Sequence, residues 1–397
     1  MDEIRPLRRE ELEAAFSLSE FAFQYTLSPE DRARGLQTAR PERILGCFVD
    51  GRLAAKATVL PMRVYVHGEL VPAGGVAGVA TWPEYRRQGL VRQLLAEALR
   101  RMREAGQTLS LLHPFSVPFY RQFGWEVASE YKTYTLERPH YPAVPPSPGR
   151  MECADGDWQR LDAIYRAYAR QYTLMLERDE EWWRERVFPR KCGRAAVYRD
   201  AAGRDQGYVL YRVRDRVLSC QEMVWLTEEA RRGLWRFLMN HDSMADRMEL
   251  RVTADDDQYL ELPEPRVRQQ VSPEVMARIV DLEGFLRQCR FAADTGESRL
   301  LLEVTDDFAP WNAGWYEIAW APDGTASVRR AEEAVGTGDG PRLPSARCSI
   351  GDLTAMLLGY RRPRALHRTG RLEADEEAVR LLERRIPAGT TGIMDFF

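Results

Sequence analysis

One stretch constrains this 397-residue chain more than any other: V-A-G-V-A-T-W-P-E-Y-R-R-Q-G-L-V-R-Q-L-L, Val76 to Leu95. It reads as a strand, a short polar turn and the opening of a helix. Val76, Val79, Ala80 and Thr81 are small or β-branched and suit a packed strand. Pro83 has no N–H for a ladder, so Trp82-Pro83-Glu84-Tyr85 ends that strand. Leu90, Leu94, Leu95 and Leu99 then recur at helical spacing. Between strand and helix lie Arg86, Arg87, Gln88, Gly89, Leu90 and Val91. A glycine there lets the backbone turn tightly and approach a ligand. The first N–H groups of a helix have no partner within it, and the helix dipole puts partial positive charge at that end. Two arginines beside those groups make a seat for a pyrophosphate. The alternative, a surface turn with solvated arginines, fits a lone R-x-x-G. The order strand, breaker, basic glycine turn, amphipathic helix favours the anion seat.

The same stretch resembles the acetyl-CoA motif of the GNAT N-acetyltransferases, R/Q-x-x-G-x-G/A. Arg86, Gly89 and Val91 stand at its patterned positions. Val91 departs from the usual small final residue, and that departure resembles the R-R-x-G-L-L/V form of the Eis-type (enhanced intracellular survival) acetyltransferases.

A chain of this length predicts two or three domains. Basic and acidic side chains number 57 and 60, mixed along the chain, for a net charge of −3. This gives no basic footprint for nucleic acid. No apolar run reaches the length of a membrane span, and the N-terminus has no signal-peptide core, so neither a membrane nor a secreted location is expected. Six cysteines (Cys47, Cys153, Cys192, Cys220, Cys289, Cys348) are scattered without a C-x-x-C pair. They suit a reducing cytoplasm and argue against a disulfide scaffold or zinc. No metal site is expected.

The predicted fold class is α+β (α/β), in three units. Residues 1–140 form the first. Glu10 to Phe23 predicts an amphipathic helix. Ile44 to Val49 and Arg52 to Pro61 predict a hairpin around Asp50-Gly51. Arg63 to Val66 and Leu70 to Pro72 predict another around His67-Gly68. Thr108 to His113 predicts a buried strand, followed by P-F-S-V-P-F-Y-R-Q-F-G-W-E. Within that run, F-Y-R-Q-F-G-W (Phe119 to Trp125) resembles the Y-x-x-F-G-aromatic signature of many GNAT enzymes. The resemblance aims the Tyr120 phenol at the thioester sulfur, where a neutral phenol suits a departing thiolate. Without the resemblance, Tyr120 reads as one more core aromatic.

Pro139 to Gly149 is a proline-rich linker. Residues 150–285 predict helices at Asp157 to Gln171 and from Asp179, and strands at Ala195 to Tyr198, Gly207 to Val213 and Val217 to Val224. A helix capped by Thr227 and a strand at Leu250 to Thr253 complete the unit. Their order resembles a second, degenerate GNAT domain without the R-x-x-G turn; an unrelated α+β domain is the alternative. Asp255-Asp256-Asp257 reads as a solvated turn, with attraction of an amine as the alternative. Residues 286–397 predict strands at Arg299 to Val304, Gly314 to Trp320, Ser327 to Arg330 and Cys348 to Ile350, and helices at Gly351 to Leu358 and Asp375 to Arg384. This unit resembles the sterol-carrier-protein-like domain that closes Eis-type chains. Trp311, Trp315 and Trp320 read as core, so no lipid binding is inferred.

Termini are usually loose, yet Thr391 to Phe397 ends in two aromatics, which suggests an anchored tail. In Eis-type enzymes the terminal Phe carboxylate enters the first domain and takes a proton from the substrate amine, and Phe397 stands at that position. A packed tail with a solvated carboxylate is the alternative. Asp395 offers negative charge for a cationic substrate.

The resemblance therefore implies an acetyl-CoA-dependent N-acetyltransferase acting by direct transfer to a small-molecule amine, aminoglycoside-like or polyamine. The expected catalytic residues are Tyr120 and Phe397. The expected cofactor contacts are Val79, Ala80 and Thr81 for the pantetheine arm, Arg86, Arg87, Gln88, Gly89, Leu90, Val91 and Arg92 for the pyrophosphate, and Phe115 and Ser116 flanking the cofactor. A homo-hexamer is implied too. The F-A-F-Q-Y-T run at residues 21–26 departs from the family and leaves aminoglycoside use open. The competing reading is a non-enzymatic acyl-CoA or lipid sensor on the same scaffold.

Overall fold

The computed structural model describes residues 3–191, 193–331 and 343–397. Cys192 and residues 332–342 of the third unit lie outside the described residues. The first unit runs β1 (Glu3–Pro6), α1 (Leu12–Phe23), α2 (Pro29–Thr38), β2 (Ile44–Val49), β3 (Arg52–Val66), β4 (Glu69–Thr81), α3 (Leu90–Glu104), β5 (Leu109–Leu112), α4 (Val117–Arg121) and β6 (Glu126–Glu137). Both expected hairpins form. Asp50-Gly51 and His67-Gly68 all have positive φ, the pairing a two-residue hairpin turn needs. Two predicted strand pairs turn out to be continuous. β3 runs through Pro61 and Met62, and β4 runs unbroken from Glu69 to Thr81.

The second unit runs β7 (Arg150–Cys153), α5 (Trp158–Ala169), α6 (Glu180–Trp182), α7 (Phe188–Lys191), β8 (Arg194–Arg199), β9 (Asp205–Arg214), β10 (Val217–Trp225), α8 (Glu228–Met239), β11 (Arg247–Thr253) and β12 (Arg268–Ile279). A single wide π turn, Trp183–Val187, joins α6 to α7. Asp157 and Thr227 cap α5 and α8 through their side chains, which satisfies helix-opening N–H groups. The third unit runs α9 (Leu282–Gln288), β13 (Ser298–Thr305), β14 (Gly314–Trp320), β15 (Ala326–Ala331), β16 (Ser345–Ser349), α10 (Ile350–Leu357), α11 (Pro363–Arg368), β17 (Glu373–Ala374) and α12 (Glu376–Arg385). Its sheet has the order β15-β14-β13-β16-β17.

The strands of the first two units form one twelve-stranded sheet, in the order β1-β2-β3-β4-β5-β12-β6-β11-β10-β9-β8-β7. Four of its strands were absent from the sequence-based expectation: β1, β6, β7 and β12. β12 belongs to the second unit by sequence but lies between β5 and β6 of the first. It pairs Met276–Ile279 with Leu109–Leu112, and Arg268–Ala277 with β6, with bulges flanking Val275. Its leading half, R-Q-Q-V-S-P, is polar and exposed and carries a proline, so no alternation marks it as a strand.

α3 covers one face of the first unit. Leu90, Leu94, Leu95, Ala98, Leu99 and Met102 are buried, in one core cluster with Ala55, Ala57, Val76 and Leu112. Asp256, expected in a solvated turn, instead accepts hydrogen bonds from the Tyr134 hydroxyl at 2.7 Å and from Gln258, and burial pushes its carboxyl upward. Among the described residues, no helix is long and apolar enough to cross a membrane.

Candidate active site

β4 and β5 part company halfway along. They pair in parallel only from Ala73–Val76 to Leu109–Leu112. Beyond that point Ala77–Thr81 keeps β3 on one side, through Lys56↔Ala80 and Ala55↔Thr81, and among the described residues has no strand on the other. A register shift at Lys56/Thr58 sets Gly78 and Val79 opposite Ala57 alone, and Gly78 takes φ +56° to make this bulge. Lys56 lies beside it. The lysine is buried and donates to the Gly78 carbonyl at 3.2 Å, and burial lowers its ammonium to about 8. Sequence reasoning missed Lys56, because a lysine among alanines reads as a solvated position. Val79 and Thr81 are half-buried, Ala80 is buried, and the Thr81 hydroxyl is buried without a hydrogen-bond partner. That strip of β4 thus holds polar backbone and an orphaned hydroxyl along a parted edge, as an extended pantetheine arm would need.

Next comes the basic turn. Arg87 and Gly89 both adopt left-handed backbone, at φ +63° and +80°, and α3 opens at Leu90. Gly89 caps the helix without a side-chain bond, and no acidic residue stands in the first turn. The opening N–H groups therefore keep their capacity for an outside acceptor. Arg86, Arg87, Gln88 and Gly89 are exposed, Leu90 is buried and Val91 half-buried. The Gln88 side-chain amide is tied to the Glu84 carbonyl at 3.1 Å. Arg92 is exposed, and its guanidinium lies 5.2 Å from the Phe308 ring of the third unit and 6.0 Å from Phe123.

The segment after β5 carries an aromatic fan. Tyr120, on α4, is buried, with ring centroids 5.5 Å from Phe115, 5.1 Å from Phe119 and 6.4 Å from Trp125. Burial pushes its phenol up to about 12, so it stays protonated at neutral pH. Phe115 is largely exposed and Ser116 caps α4. Gly124, at φ +82°, has no room for a side chain: a Cβ there would lie 1.9 Å from a guanidinium nitrogen of Arg278. That fully buried arginine of β12 donates to the Phe123 carbonyl and to Asp306 at 2.5 Å, joining the aromatic turn to the third unit.

The tail reaches the same region. Phe397 is buried, its ring 4.9 Å from His113, the residue that follows β5, and 6.3 Å from Trp182. Phe396 lies 4.4 Å from His113 on the exposed side. His113 bonds the Asp395 backbone, its Nε2 is buried without a partner, and burial lowers its imidazole to about 4. It was absent from the expected site. Asp395 is not available as a substrate anion. It is buried and held by Arg178 at 2.9 Å and by the Trp182 indole N–H at 2.9 Å. Phe397 thus packs in the core cluster of Leu109 and Leu111, and Tyr120 in that of Leu112 and Val76, so both adjoin the short strand β5, beside which β4 parts. The basic turn follows directly from β4.

Models of the acetyltransferase (GNAT) domain match residues 3–128 and 174–279, and a sterol carrier protein domain matches 282–394. An uncharacterized N-acetyltransferase of Streptomyces avermitilis is 26% identical over 366 residues, covering 85% of this chain and 84% of that protein. N-acetyltransferase Eis of Mycobacterium tuberculosis is 28% identical over 277 residues, covering 66% of this chain and 68% of that protein. Among solved structures, a conserved Enterococcus faecalis protein of unknown function superposes with a TM-score of 0.92 at 26% identity, both chains covered fully. Eis1 of Mycobacterium abscessus superposes at 0.81 and 25% identity, again over both full chains. With two GNAT domains in tandem and a sterol-carrier domain behind them, this chain belongs to the GNAT N-acetyltransferases and is similar to the Eis proteins among them.

Proposed function

We propose that this N-acetyltransferase takes its acetyl group from acetyl-CoA and passes it directly to a small-molecule amine. The observation that carries this reading is the lodging of Phe397 beside His113, at the end of β5, and against Gly75 of β4, just before β4 parts from β5. Acetyl-CoA supplies an activated thioester. The opening N–H groups of α3, with Arg86, Arg87, Gln88, Gly89, Leu90, Val91 and Arg92, hold its pyrophosphate. Val79, Ala80 and Thr81 hold the pantetheine arm by strand-like bonds, and Phe115 and Ser116 flank it.

The amine nitrogen bonds to the acyl carbon as the carbon–sulfur bond breaks. The Phe397 carboxylate accepts the proton the nitrogen sheds, since an α-carboxylate is ionised at neutral pH. The Tyr120 phenol gives its proton to the departing sulfur and regains one from solvent. Much of the rate gain comes from holding amine and thioester together. A cytoplasmic homo-hexamer using aminoglycoside-like amines or polyamines completes the reading.

The test is CoA release by the purified protein across a panel of aminoglycosides and polyamines. Release that depends on one class of amine supports the proposal. Tight acetyl-CoA binding with no release for any amine overturns it.

A further inference from the structure

The second GNAT domain lacks the basic glycine turn, yet its core holds an unusual set of charges. Arg178 is fully buried. Two of its nitrogens grip Glu222 at 2.8 and 2.9 Å, and the Lys191 ammonium bonds the same carboxylate. Within this domain, two cations therefore share one anion. Glu274, the other carboxylate close to Lys191, is taken up by Arg251. An unbalanced charge buried away from water is strongly disfavoured.

The balancing anion comes from the far end of the chain. Arg178 Nε donates to both oxygens of Asp395, at 2.9 and 3.1 Å. The Trp182 indole N–H adds a bond of 2.9 Å and the Tyr165 hydroxyl one of 3.4 Å. Upstream, the backbone fixes the register of the tail: Thr173 N–H donates to the Thr390 carbonyl and Gly392 N–H to the Thr173 carbonyl, both at 2.9 Å. Asp395 stands two residues before Phe397, so fixing its carboxylate leaves the last residue little freedom.

We propose that Arg178 and Asp395 form an electrostatic latch, by which the second GNAT domain sets the position of the Phe397 carboxylate in the first. Arg178 is thus a positioning residue for acetyl transfer. This rests on the reading that the carboxylate accepts the amine's proton.

The test is hydrogen exchange followed by mass spectrometry on the full-length protein, with steady-state kinetics alongside. In Asp395→Asn and Arg178→Gln, peptides covering 390–397 should exchange on the order of tenfold faster, while those of β4 and α3 keep their rates. The kcat should fall about 10²-fold, with KM for acetyl-CoA within about twofold of the parent. Asp395→Glu, which keeps the charge, should recover both readouts. Arg178→Gln leaves two buried carboxylates without their guanidinium partner, so its folding is checked first. Asp395→Asn keeps the Arg178–Glu222 pair and decides the matter alone.

Unchanged exchange at 390–397 in Asp395→Asn overturns the latch, whatever the activity. A loss of turnover on deleting Phe397 would then leave the proton-acceptor reading standing. Faster exchange with unchanged kcat overturns the positioning role, and the turnover of the Phe397 deletion then decides the proton-acceptor reading separately.

Discussion

The ring of Phe397 occupies the space that a side chain on Gly75 would need. A Cβ at Gly75 would lie 2.9 Å from a ring carbon of Phe397 and 2.2 Å from the terminal methyl of Met62. The bare backbone of β4 is therefore part of the wall against which the chain's last residue packs.

Gly75→Ala follows from this. Met62 is a flexible neighbour and can give way in part, but the Phe397 ring is held from its other sides by His113 and Trp182. Overpacking of this kind costs about 1–3 kcal/mol. Thermal unfolding should show a lowered Tm, and turnover should fall more than acetyl-CoA affinity. A variant with parental Tm and turnover would contradict the packing argument.

Tyr120→Phe keeps the ring among Phe115, Phe119 and Trp125 and removes only the hydroxyl. The kcat is expected to fall on the order of 10²-fold, with acetyl-CoA binding by calorimetry unchanged. Because burial holds the phenol up at about 12, the parent should show no loss of rate from Tyr120 ionisation up to pH 10. Undiminished turnover in the variant would remove the proton-donor role.

Gly89→Ala separates backbone strain from crowding. Nothing lies within 4 Å of a Cβ at this position, so the φ of +80° is the only obstacle. Left-handed backbone costs an alanine about 1 kcal/mol. The turn should relax away from its present shape and weaken acetyl-CoA binding, whereas Gly89→Asn, which tolerates that conformation better, should weaken it less. Equal affinities in all three proteins would show that the turn does not hold the cofactor.

His113 gives a pH dependence with a definite sign. Burial lowers its folded value to about 4 from an ordinary 6.5. Between those values the unfolded chain binds the proton and the folded one does not, so stability rises with pH across that window and is lost on acidification from 6.5 towards 4. The span corresponds to roughly 3 kcal/mol. His67 is also lowered by burial, so its contribution has the same sign. His113→Gln should therefore flatten the urea-derived stability profile between pH 4 and 6.5 without abolishing its slope. An unchanged slope would mean that the imidazole is not buried neutral.

Much of the first domain was legible because its signals are local. Asp50-Gly51, Pro83, Gly89 and the leucines after it each act within a few residues, and the corresponding turns and helix stand where the sequence puts them. The residues that join one domain to another were not legible. Nothing in the sequence singled out Arg178 or Arg278, yet both are fully buried, and their carboxylate partners lie 44, 217 and 28 positions away. Asp395 read as a free charge for the same reason. The sequence displays a side chain's chemistry but not the distant group that neutralises it.

β12 has a consequence for how the molecule is made. Until Arg268–Ile279 leaves the ribosome, the facing edges of β5 and β6 have nothing between them, although every other element of the first domain has already been synthesised. Such unpaired edges are templates for pairing with the wrong chain. The amino-terminal acetyltransferase module therefore waits, open, through the translation of some 140 further residues, and is sealed by a strand that its successor delivers.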